Sequence, residues 1–471
     1  MKRLFYTLLF FLPCMLIACG GSDDTPDGDN NPPVVAPPSE EPVDSRLLYN
    51  GIRLPEQWPP VRSSSSELEK GMSPFYLSDK PSVINISVGR QLFVDNFLIE
   101  STNLKRTFYY PEYYSGNPIL TPEQDWEKTG TKGAAFAAPF SDGVWYDEKE
   151  GKYKMWYMAG GGSYATSGAG VTCYAESTDG IHWTKPTLSV VAGTNIVDYN
   201  SERDASVIWL DKQESNASKR YKMFLVARES GKWRYHYKTS PDGKVWRAAV
   251  QSEPIADRST VYKNPFRNVW VYSMRHNVRV DANKLVRARD YNENTDPEAG
   301  TKKAEALLSA FWFGPWANEQ HHTDYPNIAP AIYNQDATPY ESIMLGFFSV
   351  WQGPENDVCA SDNVIKRNQV MVGYSRDGYS WFREDMNPFH AVNTTTSDAW
   401  NQGNLQSVAG APLIIGDKLY FYLSGRRLRG TQEITTTGLA TLRRDGFASM
   451  KGTGELQTPL LKFDGSYFFV N

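Results

Sequence analysis

The chain has 471 residues, of which 22% are charged and 13% aromatic, and its formal net charge is −5. That acidic balance argues against a nucleic-acid partner, which would be held by neutralising phosphates. Four cysteines without metal-ligand spacing argue against a cysteine-built metal site, and neither a metal nor any other cofactor is expected.

The chain starts with a short basic head, Met1-Lys2-Arg3, and an apolar stretch from Leu4 to Ile17 that is too short to span a bilayer. The stretch ends in Leu16-Ile17-Ala18-Cys19-Gly20, which resembles a bacterial lipobox. The resemblance implies a lipoprotein signal over residues 1–19, with Cys19 as the lipidated residue and the membrane as a partner. Gly20 rather than Asp after the cysteine implies outer-membrane sorting in a Gram-negative cell. Two acyl chains are what stable anchoring requires. The alternative is an ordinary secretory signal cut nearby. Residues 20–45 are Gly, Ser, Asp, Asn and Pro with almost no large apolar side chain, so they read as a disordered tether. Of the two cysteines beyond the lipobox, Cys173 and Cys359, the sequence does not say whether they are bridged.

Residues 46–471 contain no second linker and read as one domain. One turn recurs in it: Ser177-Thr-Asp-Gly-Ile-His-Trp183, Ser240-Pro-Asp-Gly-Lys-Val-Trp246 and Ser375-Arg-Asp-Gly-Tyr-Ser-Trp381, with a degenerate copy at Arg443-Arg-Asp-Gly-Phe447. Asp-Gly between strand residues is a hairpin signal, because a tight turn that matches strand twist needs positive φ. The starts are spaced by roughly one, two and one units of about 65 residues, which means stacked supersecondary units. Strand pairs such as Tyr153–Met158 with Val171–Glu176, and Lys418–Leu423 with Gly438–Leu442, repeat with period-2 patterning. The only helical stretch is Lys302–Leu308. The pattern predicts an all-β, single-domain, five-bladed β-propeller. Trp183, Trp246 and Trp381 then serve as wedges between sheets.

Propellers bind ligands on the axis, where the innermost strands begin and the loops joining second to third strands emerge. Innermost strands are predicted to start at Arg203-Asp204, at Asp257-Arg258, at His321 to Tyr325, and at Trp400 to Gln406 with Asn404 among them. The loops add Glu229, Arg275, His276, Trp351 and Arg426. Glycoside hydrolysis needs two carboxyls flanking the bond, about 5 to 10 Å apart. Asp204, Asp257 and Asp324 are the candidates, with Glu229 as an alternative proton donor; Glu341 should lie at the opposite face. An arginine beside one acid keeps it charged, while an acid away from arginine can hold its proton.

Several segments together resemble secreted bacterial proteins related to glycoside hydrolase family 32. They are Arg90 to Ile99 with Phe-Val-Asp95-Asn96, Asn117-Pro-Ile-Leu120 with Trp126, Lys154-Met-Trp-Tyr157, Asp257-Arg-Ser-Thr260, Asn264 to Trp270 and Gly438 to Ser449. That group is similar to the five-bladed propeller glycosidases of families 32, 43, 68 and 130, and the resemblance covers residues 90 to 471. It implies a propeller and a sugar substrate. The chain departs from true family 32 enzymes. It has no Trp-Met-Asn-Asp-Pro-Asn-Gly, Asp95 being the nearest counterpart of the nucleophile; Arg203-Asp204-Ala205 replaces Arg-Asp-Pro; and Glu-Cys does not occur.

Arginine in a concave site usually means a planar anion. Arg203, Arg258, Arg275 and Arg426, with Asn404, Gln406 and the rings of Trp351 and Trp400, are expected to hold an acidic sugar, a uronate or a sulfated residue of a plant or algal glycan. The expected activity is exo-acting hydrolysis of a terminal sugar from such an oligosaccharide. A lyase or oligosaccharide dehydratase working by β-elimination, with base and acid drawn from His276, His321, His322 and Tyr325, is the alternative. A lipid-anchored glycan-binding protein without turnover is the third reading.

Overall fold

The computed structural model describes residues 44–64, 71–129, 134–165, 170–199, 201–281, 284–396, 398–430 and 432–469. The expected signal peptide, Cys19 and nearly all of the tether lie outside the described residues. Strands dominate, and among the described residues the α-helices are the short segments Pro297–Lys303 and Asn356–Asp362.

Antiparallel meanders follow one another along the chain. The first runs through Ala135–Ala138, Val144–Asp147, Lys152–Ala159, Val171–Ser177 and Ile196–Asp198. The second is a separate four-stranded sheet, Glu202–Leu210, Tyr221–Glu229, Lys232–Ser240 and Arg247–Gln251. The third is another, Thr260–Asn264, Val269–Asp281, Lys284–Asn294 and Ala310–Phe313. The fourth comprises Ala331–Tyr340, Ile343–Gly353 and Arg367–Ser375. The fifth comprises Asn404–Val408, Leu413–Ile415, Lys418–Arg429 and Gln432–Arg443. Parallel pairings at Asn368 with Asn404 and at Ile434 with Ala135 join the fourth, fifth and first meanders into one 13-stranded sheet. The chain ends are tied together as well: Lys105–Phe108 pairs with Ala448–Lys451, and Val83–Asn85 with Leu460–Lys462.

The repeated turn explains how neighbours are locked. In each full copy the serine hydroxyl accepts the glycine N–H, at 2.9, 2.9 and 2.8 Å for Ser177, Ser240 and Ser375. The aspartate carboxylate accepts the next two N–H groups, as Asp377 does from Tyr379 at 2.8 Å and Ser380 at 2.7 Å. The glycines take φ of +74°, +77° and +75°, as the turn requires. Each turn then docks on the meander beside it through a carbonyl. Trp156 of the first meander donates to Gly243 O at 2.6 Å, and Tyr262 of the third donates to Gly378 O at 3.2 Å. Tyr422 of the fifth donates to Gly180 O at 2.8 Å, which links the last meander back to the first. A side chain added at Gly243 would meet Trp156 at 2.3 Å, so the absent Cβ is what allows this approach. Trp381 is fully buried among Trp312 and Phe348, while Trp183 packs edge-on against Tyr422.

Three expectations about local structure need correction. In the degenerate turn the positive φ falls on Asp445, at +62°, rather than on Gly446. Helix begins at Pro297, not Lys302, because Asp296 caps the N–H of Ala299 at 2.6 Å and Pro297 suits the first turn. The first strand of the fourth meander begins at Ala331, not at His321 to Tyr325, since Pro326 and Pro330 lack the N–H a ladder needs.

Candidate functional site

The first strands of the second, fourth and fifth meanders are irregular. Register shifts fall between Arg203 and Ser206, Ile332 and Asn334, and Gln406 and Val408. Phe140, Arg258 and Ser407 take φ of +43°, +53° and +66°. Bulges of this kind re-aim side chains and concentrate near binding sites. Here they bring together one residue from each meander.

Arg258 of the third meander is the hub. Its Nε lies 3.1 Å from Asp204 Oδ1 of the second, and its backbone N–H donates to the same oxygen at 2.9 Å. Its guanidinium lies over the rings of Tyr333 from the fourth meander at 5.4 Å and Phe140 from the first at 5.7 Å. Arg426 of the fifth meander lies over Phe140 at 5.5 Å and pairs with Glu433 at 3.0 Å. Lys366 and Arg287 lie over Tyr333 at 5.5 and 5.8 Å, and Arg287 also stacks on Trp351 at 5.0 Å. Burial alone would raise the Tyr333 phenol, but the positive Arg258, Lys366 and Arg426 outweigh it and hold it below its ordinary value.

Asp336 lies three residues further along the strand that carries Tyr333. Its carboxyl accepts from Asn334 Nδ2 at 3.1 Å and from the Val408 N–H at 3.3 Å. Asn334 also donates to Ser407 Oγ at 3.0 Å, and Ser141 Oγ reaches Ser407 at 3.3 Å, so the first, fourth and fifth meanders meet around it. Burial pushes Asp336 up from 3.8 to about 7 against these donors and the distant charge of Arg289. Fully buried Arg289 donates to Ser273 and to the Arg258 carbonyl, and burial lowers it to about 10. The surrounding wall is polar: Asn334 Oδ1, Gln335 Nε2 and both amide atoms of Gln406 are buried without a protein partner.

Of the residues named from sequence, Asp204, Arg258 and Arg426 belong to this cluster, and Trp351 joins it through Arg287. Asn404 adjoins it, donating to Lys366 O at 2.8 Å. Asp257 is paired with Arg275 at 2.7 Å beside the hub. His276 bonds the buried carboxyl of Asp290 at 3.0 Å, which raises the imidazole.

Others sit elsewhere. Arg203 is buried in a two-pronged pair with Asp142, at 2.7 and 3.2 Å, so its fork is already occupied. Glu229 is exposed at a strand end. Asp324 is 76% exposed and precedes its strand, and His321 is exposed on a loop with Nδ1 2.8 Å from Pro326 O. Trp400 packs on the backbone of Gly425 and Gly438 and edge-on against Tyr113. Asp95 is buried against Arg376 at 2.9 Å, and Glu341 pairs with Arg90 and Arg444. Cys173 and Cys359 are both free thiols. Among the described residues no group of three or more His, Cys, Asp and Glu could hold a metal ion.

Sequence reasoning missed Tyr333, Asp336, Arg287 and Lys366. A signal existed for two of them: Tyr333-Asn334-Gln335-Asp336 is a polar run inside a strand that is otherwise apolar and buried.

No family model matches the chain, and no curated protein matches it. Among solved structures it is similar to an N-acetylgalactosamine deacetylase from F. plautii in complex with blood group B trisaccharide, with 11% identity, a TM-score of 0.44, and coverage of 69% of this chain and 96% of that one. A glycosyl hydrolase from Bacteroides ovatus is similar at 13% identity and a TM-score of 0.41, covering 73% of this chain and 97% of that one. A fructofuranosidase variant from Schwanniomyces occidentalis complexed with fructosylnystose follows at 11% identity and a TM-score of 0.40, covering 72% and 65%. At these identities and scores the likeness assigns neither reaction nor substrate to this chain.

Proposed function

We propose that the chain is a glycoside hydrolase built on a five-bladed β-propeller, removing a terminal sugar from an acidic oligosaccharide at the Arg258 end of its axis. The observation that carries the reading is a pair of carboxyls with opposite environments. Asp204 is ion-paired to Arg258, whereas burial keeps a proton on Asp336 up to about pH 7. An arginine-paired carboxylate together with a carboxyl raised by burial is how one site supplies both a nucleophile or base and an acid. Asp204 serves as nucleophile or base, and Asp336 gives its proton to the leaving oxygen. Asp257, occupied by Arg275, is the weaker donor. Arg258, Arg287, Lys366 and Arg426 hold the sugar's anion, and Trp351 backs Arg287. The propeller reading is supported by the Tyr422–Gly180 contact between last and first meanders and by the five-meander cluster around Arg258.

Uronate and sulfated oligosaccharides incubated with the protein should release reducing ends without an unsaturated chromophore. Asp204→Asn and Asp336→Asn should each lower turnover by at least ~10²-fold. Retained turnover in both would overturn the assignment. A second reading, β-elimination, is favoured by the lowered phenol of Tyr333 amid cations, a base beside a carboxylate site. Its mark is an ultraviolet-absorbing unsaturated product. The protein is taken to act on the outer membrane, held by lipid on Cys19.

A further inference from the structure

A cavity of about 280 Å³ opens between the loops of the fourth and fifth meanders, and Ile365 and Arg367, the neighbours of Lys366 in the chain, form part of its wall. His322, Asp324, Asn363, Arg367 and Gln402 supply its polar wall, and Gly403 forms part of it. Lys366 immediately precedes the strand that Arg367 opens, and their Cα atoms are about 3.8 Å apart. Lys366 turns to Tyr333, and Arg367 turns to Thr323, whose hydroxyl is its hydrogen-bond partner at 3.4 Å.

The chemistry of the wall favours an anion. Among the described residues Arg367 makes no ion pair, although it is half-buried and burial lowers it, with only partial relief from Asp324. A desolvated guanidinium without a carboxylate leaves a planar fork of donors unused. His322 is 5% exposed, and burial followed by the charge of Arg367 lowers it, so it is neutral near pH 7. Its Nδ1 accepts the N–H of Asp324 at 3.0 Å, which fixes the proton on Nε2 and makes that nitrogen a donor. The one carboxylate on the wall, Asp324, is 76% exposed and stands 4.0 Å from His322.

We propose that this cavity is a second subsite, which takes the carboxylate or sulfate of the sugar next to the one bound at the Arg258 cluster. The proposal rests on the acidic-oligosaccharide reading above and deepens it: the substrate carries charge on consecutive units, one met by Lys366 on the Tyr333 side and one by Arg367 on the Thr323 side.

Calorimetric titration of the full-length protein tests it, with uronate mono- and trisaccharides from pectin, alginate and glucuronan, sulfated trisaccharides from carrageenan, and neutral trisaccharides of matching backbone. Arg367→Gln should weaken the charged trisaccharides by ~10- to 100-fold, on the scale of a charged hydrogen bond, and leave the monosaccharides unchanged. Uronate against sulfated ligands tells which anion is taken. Gln402→Ala, on the facing wall, should weaken trisaccharides less and serves if Arg367→Gln unfolds. Trisaccharide binding unchanged in both variants, or an equal loss for neutral and charged ligands, overturns the subsite alone. If the wild type binds no charged glycan of any length, the acidic-substrate reading fails with it.

Discussion

Replacing Asp336 by asparagine tests the acid assignment through stability and rate at once. The carboxyl ordinarily titrates at 3.8, and burial carries it to about 7. That shift of roughly three units corresponds to ~4 kcal/mol between the two protonation states. The folded pKa is the higher one, so between about pH 4 and pH 7 the folded protein keeps a proton that the unfolded chain has released. Stability from this site is therefore complete below about pH 4, falls as pH rises to about 7, and is level above. Asparagine has nearly the shape of the protonated acid and never charges. Asp336→Asn should match the wild type near pH 4 and exceed its unfolding free energy by up to ~4 kcal/mol near pH 8. Urea denaturation at several pH values measures the difference, the slope with denaturant being held common. In the same variant turnover should fall by at least ~10²-fold, because asparagine has no proton to give. The wild type should lose activity as pH rises through about 7, as the acid ionises. A stability difference that does not grow with pH, or a variant with near-normal turnover, would refute the reasoning.

Tyr333→Phe keeps the ring beneath Arg258 and removes the phenol; if the enzyme hydrolyses, turnover falls less than ~10-fold, whereas a ~10²-fold loss of an unsaturated product assigns elimination instead. Arg203→Met leaves Asp142 buried without its partner and should cost ~3–5 kcal/mol in denaturant unfolding, with KM unchanged because Arg203 does not reach substrate. Gly378→Ala would set a Cβ 2.1 Å from Asn264 Nδ2 at φ +75°, while Gly151→Ala at φ +63° meets nothing within 4 Å. The first should be the more destabilising by at least ~1 kcal/mol in thermal or urea unfolding, and equal costs would contradict the docking role of the turn. Cys19→Ser should abolish incorporation of a fatty-acid analogue and release the protein from membranes; an unlabelled, soluble wild type would exclude the anchor.

Local chemistry was legible in the sequence because it depends on neighbours in the chain. Ser-x-Asp-Gly turns form from their own hydroxyl, carboxylate and glycine, and period-2 patterning marked the strands of each meander. Asp204, Arg258 and Arg426 could be named as candidates for the same reason, since each lies in or just before a recognisable strand. The start of the fourth meander was misplaced because His321 to Tyr325 resemble strand openings, and only the prolines after them decide where a ladder can begin. What an acid or arginine does at the site was decided by tertiary structure. Arg203 and Arg258 look alike in sequence, yet one is buried in a pair with Asp142 of the first meander and the other pairs with Asp204 of the second while lying over two aromatic rings. Asp336 keeps its proton because burial where three meanders meet outweighs Ser141, Asn334 and the Val408 N–H, whose hydrogen bonds favour the charged form. Charge state follows solvent exclusion and partners brought from tens to hundreds of residues away, and no spacing along the chain encodes either.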